Sequence, residues 1–258
     1  MADYPFTSAL VTGASSGIGA EMARQLGEAG VPTVLVARRA DRLEEIAARY
    51  DGFEVLQADL GTPEGVAQTA ERIGSGTDPI DLVVNNAGFG TSGRFHEQDV
   101  ERLGREIDLN VRALTVLSHA ALAAMHLRGR GYLLNVSSVA SFQSSAGLAV
   151  YAATKAYVTS LTEALHEEAR GSGVHVTALC PGLTKTEFQE QSNTSGIEGQ
   201  FPGFAWTSAE DVASTGLADV AANRTLSVPG ALYKGLTLTS DVTPRAITRR
   251  ISGLLTRN

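Results

Sequence analysis

Cysteine, lysine and long apolar runs are scarce in this chain of 258 residues. Cys180 is the single cysteine, so an intrachain disulfide is excluded and a reducing, cytoplasmic location is expected. No apolar run reaches the roughly 18 residues that a membrane-spanning helix needs, and no signal peptide is predicted at the N-terminus. The net charge of −7 argues against general nucleic-acid binding. The five histidines lack metal-site spacing, so no metal is predicted.

Strand and helix patterns alternate along the sequence. Apolar runs at 8–12, 31–37, 53–57, 80–85, 132–136, 174–179 and 225–228 predict about seven strands. Helical patterns lie between them at 18–29, 40–50, from Thr62, at about 99–127, and at 150–171. The alternation predicts an α/β fold with a parallel sheet and a single domain spanning 1–258.

A glycine turn follows the first strand. Its sequence, Gly13-Ala14-Ser15-Ser16-Gly17-Ile18-Gly19, leads directly into a helix. Glycines permit a tight turn and close approach of a pyrophosphate, whose charge would face the helix N-terminus. This context of strand, turn and helix predicts a dinucleotide site.

Tyr151 and Lys155 stand four residues apart on a predicted helix, so they share one face. An ammonium beside a phenol is expected to lower the tyrosine pKa and suit it to proton transfer with a carbonyl or alcohol oxygen. A surface Tyr–Lys pair is the alternative. Ser138 ends a predicted strand, where its hydroxyl could hold the substrate oxygen; Ser137 and Ser138 could instead be loop or cap residues.

Two arginines follow the second strand. Ala37 occupies the place where an NAD enzyme usually carries an acidic residue, and Arg38 and Arg39 come next. An arginine fork suits a 2′-phosphate, so the pattern predicts NADP(H). The alternative is that both arginines pair with Asp41 or Glu45.

Taken together, these segments resemble the short-chain dehydrogenase/reductase superfamily. The matching segments span residues 8 to about 186: 12–19, Asp59-Leu60, 85–88, Asn110, Ser138, Tyr151-x-x-x-Lys155 and Pro181-Gly182. The resemblance implies a three-layer, doubly wound, Rossmann-type sheet and a nicotinamide cofactor. It also implies that Tyr151 is the acid/base, Ser138 orients substrate, Lys155 lowers the tyrosine pKa and binds ribose, and Asn110 holds a relay water.

The same resemblance assigns the remaining site residues. The cofactor-binding residues it implies are Gly13, Ser15, Ser16, Gly17, Ile18, Gly19, Arg38, Arg39, Asp59, Leu60, Asn86, Ala87, Gly88, Tyr151, Lys155, Pro181, Gly182, Thr184 and Thr186. A lid at about 185–206 would cover the substrate. The predicted substrate-lining residues are Phe89, Phe142, Gln143 and Phe188.

The predicted reaction interconverts a carbonyl and an alcohol on an apolar small molecule. A 3-ketoacyl reductase and a non-catalytic NADP(H)-binding regulator are the alternatives. The C-terminal pattern predicts an amphipathic helix at about 244–256, with Ile247, Ile251, Leu254 and Leu255 on one face. We expect this helix to pack on protein rather than on an anionic membrane or over the substrate pocket, and we expect a homodimer or homotetramer.

Overall fold

A seven-stranded parallel sheet forms the centre of the computed structural model, which describes residues 4–192 and 202–235. The strands are β1 (Ala9–Thr12), β2 (Thr33–Ala37), β3 (Glu54–Gln57), β4 (Leu82–Asn85), β5 (Gly131–Val136), β6 (Val174–Leu179) and β7 (Leu226–Ser227). Their order is β3-β2-β1-β4-β5-β6-β7. The order reverses between β1 and β4, which opens a crevice at the carboxyl ends of these strands. The predicted doubly wound α/β fold is confirmed.

Helices cover both faces of this sheet. They are α1 (Gly17–Glu28), α2 (Ala40–Ala47), α3 (Pro63–Gly74), α4 (Val100–Ile107), α5 (Leu114–Arg128), α6 (Ala149–Glu168), α7 (Phe188–Gln191) and α8 (Ala209–Ala221). Among the described residues, no helix is both long enough and apolar enough to cross a bilayer.

Each face of the sheet has its own apolar core. One core joins α1 and α8 to the sheet through Met22, Leu26 and Leu217, which are fully buried. The other joins α3 and α5 to the opposite face through Ile73 and Leu117. Strand residues alternate between the two cores, as Leu10 and Val11 of β1 do, because successive side chains of a strand point to opposite faces.

Local signals place several helix ends where the sequence predicts them. The Thr62 hydroxyl accepts a hydrogen bond from the Gly65 N–H at 3.1 Å, and Pro63 is the first residue of α3. Gly129 ends α5 in the left-handed region, with φ of 65°. These caps satisfy backbone groups that helix ends leave without partners.

The long helix predicted at about 99–127 requires a correction. The structure has one continuous helical segment, but Asp108–Ala113 forms a π-helix between α4 and α5. A π-helical turn inserts an extra residue, and such turns are frequent at functional sites. Asn110 lies within it. The hydrophobic pattern does not reveal the inserted residue, because the buried face continues on both sides of the turn.

Some predictions fall partly or wholly outside the described residues. The C-terminal helix at 244–256 lies outside them, as does 193–201 of the predicted lid. The described parts of the lid contain α7 and a short 3-10 helix, Gly203–Ala205. A parallel β-bridge between Thr184 and Thr207 joins the two ends of this segment. The assignment of 1–258 to a single domain stays a prediction.

Candidate active site

The glycine turn after β1 is held by Asn86. Gly13 and Gly17 have φ of 66° and 57°, a region that side chains rarely adopt. A Cβ on Gly19 would lie 2.4 Å from the Asn86 side-chain nitrogen. That nitrogen donates to the Thr12 carbonyl at 2.9 Å. The turn therefore requires glycine at these positions, and Asn86 shapes the turn from the neighbouring strand end.

Thr12 ties the turn to the end of β4. Its buried hydroxyl donates to the Val84 carbonyl and accepts from the N–H groups of Asn86 (2.9 Å) and Ala87 (3.0 Å). One side chain thereby fixes the start of the loop 86–88, which precedes Phe89. The sequence places Thr12 at the end of the first strand and in the matching segment 12–19, but it gives no sign of this side-chain function.

Asn110 organises the next part of the same loop. Its side-chain nitrogen donates to the Phe89 carbonyl at 2.8 Å and to the Thr154 hydroxyl at 3.2 Å, and its side-chain oxygen accepts from the Phe89 N–H. A Cβ on Gly88 would lie 2.9 Å from that oxygen and 3.5 Å from Lys155 Nζ. Asn110 therefore brings the loop against α6, close to the lysine.

The predicted catalytic residues meet at the carboxyl end of β5. Lys155 Nζ lies 5.8 Å from the centre of the Tyr151 ring and donates to the Val136 carbonyl at 2.8 Å. Ser138 follows β5, caps the 3-10 helix Val139–Phe142 by accepting from the Ala140 N–H, and lies close enough to the Tyr151 phenol to act on its pKa. The structure thus brings together all four residues of the predicted set, including Asn110 through Gly88.

Burial dominates the electrostatics of Tyr151 and Lys155. It raises the pKa of Tyr151 to about 12, while the Ser138 hydrogen bond acts in the lowering direction. It also lowers the pKa of Lys155 to about 8, because a buried ammonium loses hydration. The prediction that the lysine would bring the tyrosine pKa below its ordinary value is therefore wrong for this arrangement. The residue spacing gives the proximity of the two groups but not their desolvation.

Ser137 and Cys180 lie beneath the site in structural positions. The Ser137 hydroxyl donates to the Lys155 carbonyl at 2.8 Å and contacts the Thr159 hydroxyl at 2.7 Å. Cys180 is fully buried, and burial raises the pKa of its thiol to about 11. A thiol that stays neutral at neutral pH is a poor nucleophile, which agrees with its interpretation as a small core residue.

The arginines after β2 take different positions. Arg38 is exposed, and its side chain forms no ion pair with the described residues. Arg39 donates to the Ser15 hydroxyl at 3.1 Å and pairs with Glu187 at 3.0 Å. Neither pairs with Asp41 or Glu45 among the described contacts.

Other predicted cofactor residues lie after β3 and at the start of α1. Asp59 is exposed after β3 and accepts from the Gly61 N–H, whereas Leu60 is buried. Ser16 precedes α1 as its N-cap residue, and Ile18 lies in the first turn of that helix.

The start of the lid reaches both halves of the site. A Cβ on Gly17 would lie 3.2 Å from Thr186, so this segment touches the glycine turn. The Phe188 ring lies 5.4 Å from the Tyr151 ring. Phe89 lies under the Arg102 guanidinium, at 5.1 Å. Phe142 is half-buried and Gln143 exposed after β5.

Tyr233 anchors the base of the lid, and sequence reasoning missed it. Its hydroxyl accepts from the Leu183 N–H at 3.0 Å and donates to the Ala205 carbonyl at 2.7 Å. A Cβ on Gly182 would lie 2.1 Å from its ring, so the ring requires glycine there. The neighbouring Pro181 carbonyl accepts from the Val139 N–H. Tyr233 lies 50 residues after Leu183 in the sequence, so no local pattern predicts this contact.

Comparison with known proteins agrees with this geometry. The sequence model of the family described as short chain dehydrogenase matches residues 7–196. An uncharacterized oxidoreductase of Staphylococcus epidermidis is 34% identical over 183 residues, covering 70% of this chain and 80% of that protein. A short-chain dehydrogenase from Sphingobium yanoikuyae, solved in complex with NADPH, is 32% identical with a TM-score of 0.83, covering 97% of this chain and 96% of that one.

A second solved structure adds a relative with a stated substrate type. The bulky-bulky ketone specific alcohol dehydrogenase from Comamonas testosteroni is 29% identical with a TM-score of 0.79, and the alignment covers 98% of this chain and 94% of that one. The family match spans well over half of the sequence. This chain therefore belongs to the short-chain dehydrogenase family of oxidoreductases.

Proposed function

We propose that this protein is an NADP(H)-dependent oxidoreductase that interconverts a carbonyl and an alcohol on an apolar small molecule, with Tyr151 as general acid/base. The observation that carries the proposal is the placement of Ser138 and the buried Lys155 beside Tyr151. A bound nicotinamide would supply or accept the hydride. The chain itself contributes the proton and the orientation of the reacting oxygen.

The residues around the crevice suit a dinucleotide. The turn has no room for side chains at Gly13, Gly17 and Gly19, and it leads into the N-terminus of α1, which suits the negative charge of a pyrophosphate. Arg38 supports NADP(H) over NAD(H), since its exposed guanidinium has no carboxylate partner among the described residues. The Sphingobium relative was solved with NADPH.

Each member of the catalytic set would have a distinct function. With a pKa of about 12, the Tyr151 phenol is protonated at neutral pH and can donate to the oxygen of a carbonyl undergoing reduction. The Ser138 hydroxyl would hold that oxygen. Lys155, fixed by the Val136 carbonyl, places a positive charge beside the phenol. Asn110 holds the loop that carries Phe89.

Aromatic side chains near the proposed catalytic residues support an apolar substrate. Phe188 packs within 5.4 Å of Tyr151, and Phe89 lies on the same loop as Gly88. The Comamonas relative is specific for bulky ketones by its description. A cytoplasmic location and a homodimer or homotetramer stay predictions. The exposed apolar side chains of Val100 and Ile107 on α4, and of Phe95 before it, support the oligomer.

The test measures oxidation of NADPH with a panel of aldehydes, ketones, β-ketoesters and steroids, using wild type, Tyr151→Phe and Tyr157→Phe. Tyr157 is a matched control because it lies on the same helix, is 40% exposed and bonds Thr115. Tyr151→Phe should lower turnover by about 10²–10⁴-fold with NADPH affinity retained. Tyr157→Phe should leave the rate near wild type.

Two outcomes would count against the proposal. More than half of the wild-type rate in Tyr151→Phe would remove the acid/base assignment. NADPH binding without turnover across the whole panel would favour the non-catalytic regulator, and turnover confined to β-ketoesters would favour the 3-ketoacyl reductase.

A further inference from the structure

Glu106 is a fully buried carboxylate near the proposed catalytic pair. It lies on α4, four residues before Asn110, and has 0% exposure. Neither of its carboxylate oxygens has a hydrogen bond of standard geometry within 4–192 and 202–235. The Thr91 side chain is near enough to lower its pKa. A buried carboxylate without close partners is costly, so a residue of this kind needs a physical explanation.

The groups around Glu106 belong to two helices and one loop. Burial raises its pKa above the ordinary carboxyl value, although Thr91, Arg102 and Lys155 act in the lowering direction. Arg102 is one turn away on α4, where its guanidinium also donates to the Gly90 carbonyl at 3.3 Å. Lys155 comes from α6, which packs against α4. The helix that carries Glu106 therefore packs against the helix that carries Lys155, and the charge of each residue acts on the pKa of the other.

The influence is mutual and reaches both members of the pair. The charge of Glu106 raises the pKa of Lys155 and of Tyr151. Cys180 acts on both in the same direction, but burial raises the pKa of its thiol to about 11, so it is neutral in neutral solution. Glu106 thus opposes the loss of the lysine's charge that burial favours.

We propose that Glu106 is a positioning residue that serves as the buried counter-ion of Lys155 and keeps its ammonium charged beside Tyr151. The catalytic function of Lys155 and Tyr151 rests on the proposed function. The interaction between the charges of Glu106 and Lys155 does not depend on it. No bond forms or breaks at Glu106.

The chain offers a direct measurement, because it has only three lysines: Lys155, Lys185 and Lys234. Protein labelled with ¹³C at lysine Cε would give three signals, and Lys155→Arg would identify the one that belongs to Lys155. Its pKa would be titrated in wild type, Glu106→Gln, Glu106→Asp and Glu101→Gln. Glu101 is the matched control, since it is exposed on the same helix.

The sign of the change separates a charge effect from loosened packing. Loss of the counter-ion should lower the pKa of Lys155 by about 1 unit, a tenfold change in its proton affinity. Water entry into a loosened site would instead raise that pKa toward 10.5, the ordinary value. Glu106→Asp and Glu101→Gln should both stay near wild type.

An unchanged or raised Lys155 pKa in Glu106→Gln would overturn the proposal. Should that variant fail to fold, Glu106→Met removes the same charge with an apolar side chain of similar length. The titration needs no substrate, so its outcome is independent of the turnover test on Tyr151→Phe. The two proposals can therefore fail separately.

Discussion

Thr12→Val tests whether one hydroxyl connects the glycine turn to the end of β4. The hydroxyl accepts from two backbone N–H groups, those of Asn86 and Ala87, and donates to the Val84 carbonyl. Thr12 is 1% exposed. Valine has nearly the same shape, so the change removes hydrogen bonds without opening a cavity. The two N–H donors, both part-buried, would be left without that partner.

The expected magnitude follows from those two donors. Each buried donor without a partner costs about 1–3 kcal/mol, and the added methyl offsets about 0.8 kcal/mol. A loss of about 3 kcal/mol in the free energy of unfolding is therefore expected. The entropy of unfolding is roughly 2.1 cal/mol/K per residue, so this loss lowers the melting temperature by about 6 °C for 258 residues. Affinity for NADPH should fall as well, because the loop 86–88 loses its anchor.

Thr33→Val provides the matched control. Thr33 is also 1% exposed on a central strand, but its hydroxyl only donates, to the Val31 carbonyl at 2.9 Å. Its replacement leaves no N–H group without a partner and should lower the melting temperature by about 2 °C or less. Calorimetry on both variants measures the two melting temperatures. Equal melting temperatures would refute the anchoring function of Thr12.

Two further predictions concern charge. Arg38→Asp should weaken NADPH binding roughly 10- to 150-fold, equivalent to about 1.5–3 kcal/mol, and should leave NADH binding little changed. The exposed control Arg49→Asp should bind NADPH nearly as wild type does. Fluorescence titration measures these affinities, and equal affinity of wild type for NADH and NADPH would contradict the prediction. Lys155, with a pKa of about 8 when folded and 10.5 when unfolded, binds fewer protons in the folded state between those values, so its contribution to stability rises with pH in that window. The stability of Lys155→Met relative to wild type should accordingly decline as pH rises from about 8 to 10.5, and a constant difference in chemical denaturation would rule this out.

The fold and the proximity of Tyr151 to Lys155 were predictable because their signals are local. The apolar runs of β1 to β6, the glycine turn, and the spacing of Tyr151 and Lys155 each lie within a few neighbouring residues. Periodicity then determines the element, and the alternation of elements determines a parallel sheet. The short β7 was predicted at 225–228 and is observed over two residues, Leu226–Ser227.

The parts that sequence reasoning missed depend on distant partners. Thr12 and Asn86 are separated by 74 residues, and Arg39 and Glu187 by 148. The π-helix around Asn110 also has no signature in the hydrophobic pattern. Burial is equally invisible in a motif, which explains why Glu106 was overlooked and why the direction of the Tyr151 pKa shift was predicted wrongly.

Burial alone would drive both members of the proposed catalytic pair toward their neutral forms. Together with the raising effects of Cys180 and Glu106, it leaves Tyr151 as a phenol and the pKa of Lys155 at about 8, which is close to physiological pH. A protonated phenol is the donor form that carbonyl reduction requires, but a neutral lysine would remove the positive charge that favours the phenolate after the proton leaves. A carboxylate at Glu106 resolves this conflict only partly, since it raises both pKa values. The negative charge of Glu106 favours the ammonium form of Lys155, and the same charge disfavours loss of the proton from Tyr151. The electrostatic arrangement therefore favours proton donation by Tyr151, and the Ser138 hydrogen bond is the contact that acts in the opposite direction.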